Sequence, residues 1–162
     1  MIKLDDLDIK ILTALQREGR MTKVKLAETV NLSVSPCWER LKRLEREGVI
    51  ADYRAEIDME KLVKLTQVWV EVSLSHHQQQ TFVRFEDFVQ DIEEIVECWA
   101  TGGTIDYLLR IVTRDLEAYQ RLIDHLLNAE IGIDRYVTCV VTKQVKKSNG
   151  LPIRNLLENR VN

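Results

Sequence analysis

The spacing of the hydrophobic residues changes near residue 50, and this change constrains the fold more than any other feature of the sequence. From Leu4 to Gly48 the apolar residues recur with the period of an α-helix. From Thr66 to Val145 the period of a β-strand alternates with that of a helix. We therefore place a domain boundary near residue 50 and predict an α+β protein with a helical first half and a mixed second half.

The first half carries the signals of three short helices. An apolar stripe runs from Leu4 to Leu15, and Thr22 is suited to cap a second helix. Ser35 is predicted to cap a third helix, with Pro36 in its first position. A short turn joins the second and third helices, and residues 49–57 have the extended pattern of a wing. These are the parts of a winged helix-turn-helix, whose third helix enters the DNA major groove.

One face of the third helix is predicted to be basic and exposed. A helical wheel with Trp38, Leu41 and Leu44 turned inward leaves mostly basic side chains outside. Residues 17–46 contain eight bases and four acids, although the whole chain has a formal net charge of −3. Taken alone, this face could consist of arginines and lysines that are merely solvated. The short turn before the helix and the apolar residues on its opposite side favour a phosphate-binding surface instead. The predicted DNA-binding residues are Lys23, Ser33, Ser35, Pro36, Glu39, Arg40, Lys42, Arg43 and Arg46.

The second half predicts four strands and two helices. The first strand carries Val68, Val70, Val72 and Leu74 on one face. The pattern then predicts a helix at 82–92, strands at 95–100 and 107–112, a helix at 116–126 and a strand at 137–141. This βαββαβ order is that of the ferredoxin-like fold, whose helices cover one face of an antiparallel sheet. The opposite face would carry Trp69, Leu108 and Val112, and we expect a second subunit to cover it.

Several classes of function find no support in the sequence. No apolar run approaches the roughly 20 residues of a membrane-spanning helix, so we expect no membrane contact and a cytoplasmic location. Cys37, Cys98 and Cys139 are odd in number and widely spaced, which favours reduced thiols over disulfides or a zinc site. His76 and His77 are adjacent and cannot share a helix face as metal ligands, and no catalytic histidine accompanies Cys98. We predict no metal, no cofactor and no enzymatic activity.

Two stretches of the sequence resemble the Lrp/AsnC family, the leucine-responsive or feast/famine transcription regulators. One is residues 4–50, LDDLDIKILTALQREGRMTKVKLAETVNLSVSPCWERLKRLEREGVI, which is similar to the family's N-terminal domain. The other is residues 95–119, IVECWATGGTIDYLLRIVTRDLEAY, which is similar to its effector-binding and oligomerisation domain. The resemblance extends from Leu4 to about Val145. With the change of period it predicts four segments: a winged helix-turn-helix DNA-binding domain at 1–50, a wing and linker strand at 51–65, an effector-binding and oligomerisation domain at 66–147 and a C-terminal tail at 148–162.

The resemblance also implies an effector site. The family's Gly-x-x-Asp pattern falls on Gly103 to Asp106, with Gly102 where many members have Ser or Thr. Glycine lets a ligand approach the backbone, whose N–H groups suit a carboxylate, while Asp106 could hold an ammonium group. From the residues alone, a β-turn in which Asp106 bonds its own backbone is an alternative. The implied effector-binding residues are Thr101, Gly102, Gly103, Thr104, Asp106 and Tyr107.

The function predicted from these features is transcription regulation by sequence-specific DNA binding. The resemblance implies that assembly and DNA binding respond to an amino acid or an amino-acid-derived effector. The uncovered face of the sheet predicts a homodimer, and the resemblance implies a tetramer of dimers. The paired third helices of a dimer predict paired half-sites on double-stranded operator DNA. The alternative is an amino-acid-binding regulatory subunit of an enzyme, which would use the N-terminal helices as a partner surface. The basic face of residues 35–46 argues against that alternative.

Overall fold

The computed structural model of the protein describes residues 2–148 and 150–157. The chain divides into two units, one of residues 2–57 with the C-terminal stretch from 146 onward, and one of residues 58–145. The division therefore falls after Ile57 rather than near residue 50. The segment predicted as a separate tail, 148–162, belongs with the first unit as far as it is described, and its residues 149 and 158–162 lie outside the described residues.

Six helices and four strands are found in the described part of the chain. The first unit contains α1 (Asp6–Arg17), α2 (Lys23–Thr29), α3 (Val34–Arg46) and the C-terminal α6 (Ile153–Leu157). The second contains a 3₁₀ turn (Met59–Lys61), β1 (Thr66–Leu74), α4 (Gln79–Gln90), β2 (Ile95–Ala100), β3 (Tyr107–Thr113), α5 (Leu116–Asn128) and β4 (Ile133–Val140). None of the described helices is long and apolar enough to cross a membrane.

Side chains satisfy free backbone N–H groups at the starts of α1 and α2. The Asp5 carboxylate accepts hydrogen bonds from the N–H groups of Leu7 and Asp8 at 3.0 and 2.9 Å, and the Asp8 carboxylate accepts one from the Asp5 N–H at 3.0 Å. This reciprocal pair is a capping box. Thr22 caps α2 as predicted, because its hydroxyl accepts from the Lys25 N–H at 3.1 Å.

The start of α3 corrects the sequence prediction. The helix begins at Val34, so Ser33 rather than Ser35 occupies the cap position, and the Ser33 side chain makes no capping hydrogen bond. Ser35 and Pro36 are consequently the second and third helical residues. Proline is tolerated there because N–H groups in the first helical turn have no intrahelical acceptor in any case. Both serines fit the cap preference, so the local sequence could not separate them.

The predicted wing and linker strand is not found, because the described residues 51–65 contain no β-strand. The stretch is exposed throughout, and its apolar side chains Tyr53, Ile57 and Leu62 are not buried. A two-stranded hairpin is marginal in water unless it packs a hydrophobic face. Tyr53 is nevertheless anchored to α3, since its hydroxyl donates to Oε1 of Glu45 at 2.9 Å.

The core of the first unit lies between its N-terminal helices, and the C-terminal segment packs against it. Buried members of this core include Ile11, Leu26, Val30, Cys37 and Leu44. Ile153 of α6 packs against the same cluster. The Gln16 amide, in the orientation that satisfies both of its groups, donates to the Leu151 carbonyl at 3.0 Å and accepts from the Leu151 N–H at 3.2 Å. The C-terminal segment is therefore docked on α1.

A buried carboxylate joins α1 to α3. The Asp8 side chain is 1% exposed and accepts hydrogen bonds from Nη1 of Arg40 at 2.9 Å and from Nη2 of Arg43 at 2.5 Å. Arg40 also donates to Asp5 at 2.7 Å. The hydrogen bond to Asp5 raises the pKa of Arg40, and the hydrogen bond to Asp8 raises the pKa of Arg43. Since an unpaired buried charge is costly, these contacts fix how α3 lies on α1.

The second unit has the predicted ferredoxin-like βαββαβ fold. Its sheet has the order β2-β3-β1-β4, and every neighbouring pair is antiparallel. Helices α4 and α5 pack on one face of this sheet, and the shared core includes Val68, Val70, Val72, Phe85, Leu109, Ile111, Ile123 and Leu126. Asp115 caps α5, accepting from the Ala118 N–H at 2.7 Å. The order of strands and helices predicted for this half is confirmed, although α4 spans 79–90 rather than 82–92 and β4 spans 133–140 rather than 137–141.

The opposite face of the sheet, which we call the open face, carries the predicted Trp69, Leu108 and Val112. Trp99 pairs with Leu108 across β2 and β3 and remains 60% exposed. On the same face, Nη1 of Arg110 donates to Oε1 of Glu97 at 2.5 Å. The Nε atom of Arg110 is buried and makes no hydrogen bond in the described structure. The open face therefore combines exposed aromatic surface with an incompletely satisfied cation.

We predict that Asp8→Ala destabilises the first unit. The change leaves Arg40 and Arg43 without their shared acceptor and removes half of the capping box, which should lower the free energy of unfolding by about 2–4 kcal/mol. Asp6→Ala, at an exposed acid in the same helical turn, should lower it by less than about 0.5 kcal/mol. Urea denaturation of the two full-length variants measures the difference. Equal losses would contradict the role given to Asp8.

Candidate DNA-binding surface and effector loop

The exposed side of α3 carries most of the residues predicted to bind DNA. Cys37, Leu41 and Leu44 face the core and are buried. We define the α3 surface as Ser33, Ser35, Pro36, Glu39, Lys42 and Arg46, all of which are exposed. Lys23, the first residue of α2, is exposed as well. The structure thus leaves these predicted residues accessible to a partner.

Arg40 and Arg43 differ from the rest of the predicted set. Their side chains are only 29% and 33% exposed, and both bind acids of α1. Burial opposes the charge on Asp5, but hydrogen bonds from the Asp8 N–H and the Arg40 guanidinium lower the pKa of Asp5 below its ordinary value. Arg40 and Arg43 are therefore largely neutralised within the first unit. A helical wheel could not reveal this, because the acids come from a different helix.

A second set of contacts ties the stretch after α3 to the α3 surface. Nζ of Lys42 lies 2.8 Å from Oε2 of Glu45, and the hydrogen bond between them lowers the pKa of Glu45. Partial desolvation of its hydroxyl beside α3 and the hydrogen bond to Glu45 raise the pKa of Tyr53 to about 12. Tyr53 therefore stays protonated and acts as a hydrogen-bond donor at neutral pH. Sequence reasoning did not single out Tyr53, since nothing in its surroundings marks it except the extended pattern.

The predicted effector loop has an exposed tip and a closed base. Residues 101–104 are exposed, and Gly103 has a φ of +143°, a conformation that side chains disfavour. At the base, the Thr101 hydroxyl donates to the Ile105 carbonyl at 2.7 Å, and the Thr101 N–H donates to the Asp106 carbonyl at 2.9 Å. Tyr107 is buried, and its hydroxyl donates to Oε1 of Glu86 at 2.6 Å. The tip is therefore the accessible part of the loop.

Asp106 holds the loop to the end of β1. Its Oδ2 accepts a hydrogen bond from the Leu74 N–H at 2.7 Å, and its Oδ1 lies 3.1 Å from Nε2 of His77. His77 is exposed and stacks on Phe82, with 6.0 Å between the ring centroids. Asp106 thus bonds the backbone of another strand rather than its own. His77 is a neighbour that the sequence did not assign, because the histidine pair looked like part of a solvated connection.

Two of the three thiols have a raised pKa. Burial raises the pKa of Cys37, and burial together with the nearby Glu86 carboxylate raises the pKa of Cys98. Reactive cysteines have a lowered thiol pKa, so neither residue has the environment of a catalytic thiolate. Cys37 lies in the core of the first unit, in agreement with its predicted packing role.

Two family models match the chain. The one described as winged helix-turn-helix DNA-binding matches residues 4–51. The one described as the Lrp/AsnC ligand binding domain matches residues 67–151, which is more than half of the chain. The chain belongs to the Lrp/AsnC family. This confirms the resemblance drawn from the sequence motifs.

Relatives of the regulator match it over nearly their full length. The transcriptional regulatory protein DoeX of Halomonas elongata is 52% identical over 146 residues, which cover 90% of this chain and 92% of DoeX. The leucine-responsive regulatory protein of Escherichia coli K12 is 40% identical over 151 residues, covering 93% and 92% of the two chains. A Neisseria meningitidis transcriptional regulator solved in complex with L-Met has a TM-score of 0.88 and 35% identity, covering 96% of this chain and 100% of that one.

These matches identify the chain as an effector-responsive, DNA-binding transcription regulator. Its first unit contains the winged helix-turn-helix match, and its second unit contains most of the ligand-binding match. The relatives are transcription regulators rather than enzymes or enzyme subunits. The alternative of a regulatory subunit of an enzyme therefore gains no support.

We predict different effects from two arginines on α3. Arg46→Ala should weaken DNA binding about 5- to 10-fold at low salt and reduce the slope of log affinity against log salt by about one, without lowering stability. Arg40→Ala should mainly lower stability, because Arg40 binds Asp5 and Asp8. Fluorescence anisotropy with duplex DNA and urea denaturation measure the two quantities. If Arg40→Ala weakened binding as much as Arg46→Ala at unchanged stability, Arg40 would be a direct DNA contact.

Proposed function

We propose that the regulator binds operator DNA through the α3 surface and that an amino acid or amino-acid derivative, bound at residues 101–107, alters this binding. The observation that carries the proposal is the Asp106 carboxylate, held at the base of an exposed glycine loop. Such a loop offers backbone N–H groups next to an anchored anion in the sequence, as a zwitterionic ligand requires. The Neisseria relative solved with L-Met supports an amino acid as the ligand class.

The DNA contacts divide by position on the helix. Lys42 and Arg46, with Lys23, bind backbone phosphates, because long exposed cations suit that role. Ser35, Pro36 and Glu39 near the start of α3 lie closest to the groove floor, since the N-terminal residues of a recognition helix contact the base edges. Arg40 and Arg43 contribute indirectly, by fixing α3 on α1 through Asp8.

The residues of the effector loop are also expected to have different roles in binding. Asp106 accepts one backbone hydrogen bond and contacts His77, yet a carboxylate has about four acceptor positions, so it can also receive an ammonium group. Gly102, Gly103 and the exposed residues Thr101 and Thr104 offer the approach to the ligand carboxylate. Tyr107 is buried, so it stabilises the base of the loop and does not contact the ligand.

The regulator assembles through its open face. Exposed Trp99 and part-buried Trp69 would be removed from water by a second copy, which contributes about 25 cal/mol for each Å² of apolar surface buried. The buried, unpaired Nε of Arg110 would gain an acceptor from the partner. We propose a homodimer on this basis, and family membership supports a tetramer of dimers. Paired α3 helices would then contact half-sites about one helical turn apart on an imperfect palindrome.

We predict that Asp106→Ala abolishes the ligand response but leaves DNA binding intact. Loss of a charge-assisted contact should weaken effector affinity about 10- to 100-fold. Thermal-shift screening of the wild-type protein against L-methionine, L-leucine and the other amino acids identifies the ligand, and calorimetry compares the variants. Asp87→Ala, at an exposed acid on α4, is the control and should bind as the wild type does. Unchanged affinity in Asp106→Ala would locate the site elsewhere, and no binding of any amino acid would reject this ligand class.

We predict that Trp99→Glu breaks the dimer. The new carboxylate would be buried in the assembly next to Glu97, which lies two residues earlier on the same face of β2 and already binds Arg110. Burying a second carboxylate there without a partner is costly. Light scattering after gel filtration should give an oligomeric mass for the wild type and a monomeric mass for the variant at micromolar concentration. Gln144→Glu, an exposed substitution outside the sheet, should leave the mass unchanged. A monomeric wild type would overturn both the assembly and the half-site arrangement.

A further inference from the structure

The ring of Trp38 on α3 contacts two ammonium groups. Nζ of Lys23 is 3.5 Å from the centroid of the Trp38 ring, and Nζ of Lys42 is 4.7 Å from it. Both distances fall within the roughly 6 Å over which a cation is attracted to an aromatic face, and tryptophan is the most effective ring for this contact. Trp38 is part-buried and also packs against the core of the first unit. Its ring is therefore held by the core and also contacts two cations.

The two lysines reach the ring by different routes. Lys42 lies one helical turn after Trp38 on α3, so their contact follows from helix geometry. Lys23 is the first residue of α2, and its contact depends on the packing of α2 against α3. Trp38 thus connects a cation on each helix of the helix-turn-helix. Without an anchor, each lysine would sample many rotamers in water.

The charge at this site is incompletely balanced. Lys42 forms an ion pair with Glu45, while among the described residues no acid lies within ion-pair distance of Lys23. The indole ring carries no net charge, so it attracts both ammonium groups without neutralising either of them. Two like charges held near one ring form a site for an external anion. On a winged helix-turn-helix, that anion is a phosphate of the DNA backbone.

We propose that Trp38 is a positioning residue for DNA binding, whose ring holds the Lys23 and Lys42 ammonium groups at a fixed spacing for backbone phosphates. The proposal rests on the DNA-binding role of the α3 surface. Ordering long side chains before binding reduces the entropy lost on binding. Trp38 itself need not touch DNA. A role in packing alone would make Trp38 important for stability, but it would not couple the effect of Lys23 to that of Trp38.

The test is a double-mutant cycle in the full-length protein, with affinity for a fixed duplex measured by fluorescence anisotropy at several potassium chloride concentrations. We expect Lys23→Ala to weaken binding about 5-fold in the wild-type background and less than about 2-fold in the Trp38→Leu background, because only the held lysine contributes fully. Trp38→Leu alone should reduce the salt slope. Lys25→Ala is the matched control: Lys25 also lies on α2 but pairs with Glu18, so its effect should be the same in both backgrounds.

Additive effects of Trp38→Leu and Lys23→Ala would overturn the proposal and leave Trp38 as a packing residue. If Trp38→Leu proves unfolded by thermal denaturation, Trp38→Phe replaces it in the same cycle, since phenylalanine keeps an apolar ring with a weaker attraction for cations. A reduced but nonzero coupling between the Trp38→Phe and Lys23→Ala substitutions is then the expected result, and zero coupling overturns the proposal. Absence of DNA binding by the wild-type protein would instead reject the proposed function itself.

Discussion

The packing of α3 on α1 in the first unit depends on the contacts of the Asp8 carboxylate. It is buried, it completes the cap of α1, and it binds two arginines of α3. A helix as short as α3 has little stability by itself, so its orientation must come from tertiary contacts. Because Asp8 binds Arg40 and Arg43, it also determines which basic side chains of α3 remain free to contact a partner. Asp5 and Asp8 thus neutralise Arg40 and Arg43, whereas Arg46 and Lys42, the latter paired with Glu45, stay exposed on the α3 surface.

Much of the fold could be predicted because each strand and helix buries its apolar side chains on one face. The alternation Val68, Val70, Val72 required a sheet with a covered side, and the helical spacing in the same half supplied the cover. Thr22 could be recognised as a cap because its hydroxyl accepts a hydrogen bond from an N–H only three residues later. The α3 surface followed from a helical wheel, since the inward positions of that helix are apolar.

The remaining features depend on contacts between distant parts of the chain. A wheel states that Arg40 is near the edge of α3, but it cannot state that Asp5 and Asp8 lie opposite. The same holds for Asp106, whose partners Leu74 and His77 come from β1 and the connection after it. The strand predicted within residues 51–65 is absent for a different reason. Their extended pattern resembles that of a strand, but a strand needs a neighbour to hydrogen-bond, and the described chain supplies none there.

The docking of the C-terminal segment has a consequence for the covalent path of the chain. Leu151 and Ile153 return to the unit that contains α1, so the chain crosses between the units once after residue 57 and again before residue 146. A protease that cleaves the exposed stretch 51–65 therefore cuts only one of the two covalent connections between the units. The nicked fragments would remain associated through the packing of Ile153 and the Gln16 amide. Conversely, an N-terminal fragment that ends near residue 60 lacks α6 and leaves apolar surface of its core uncovered.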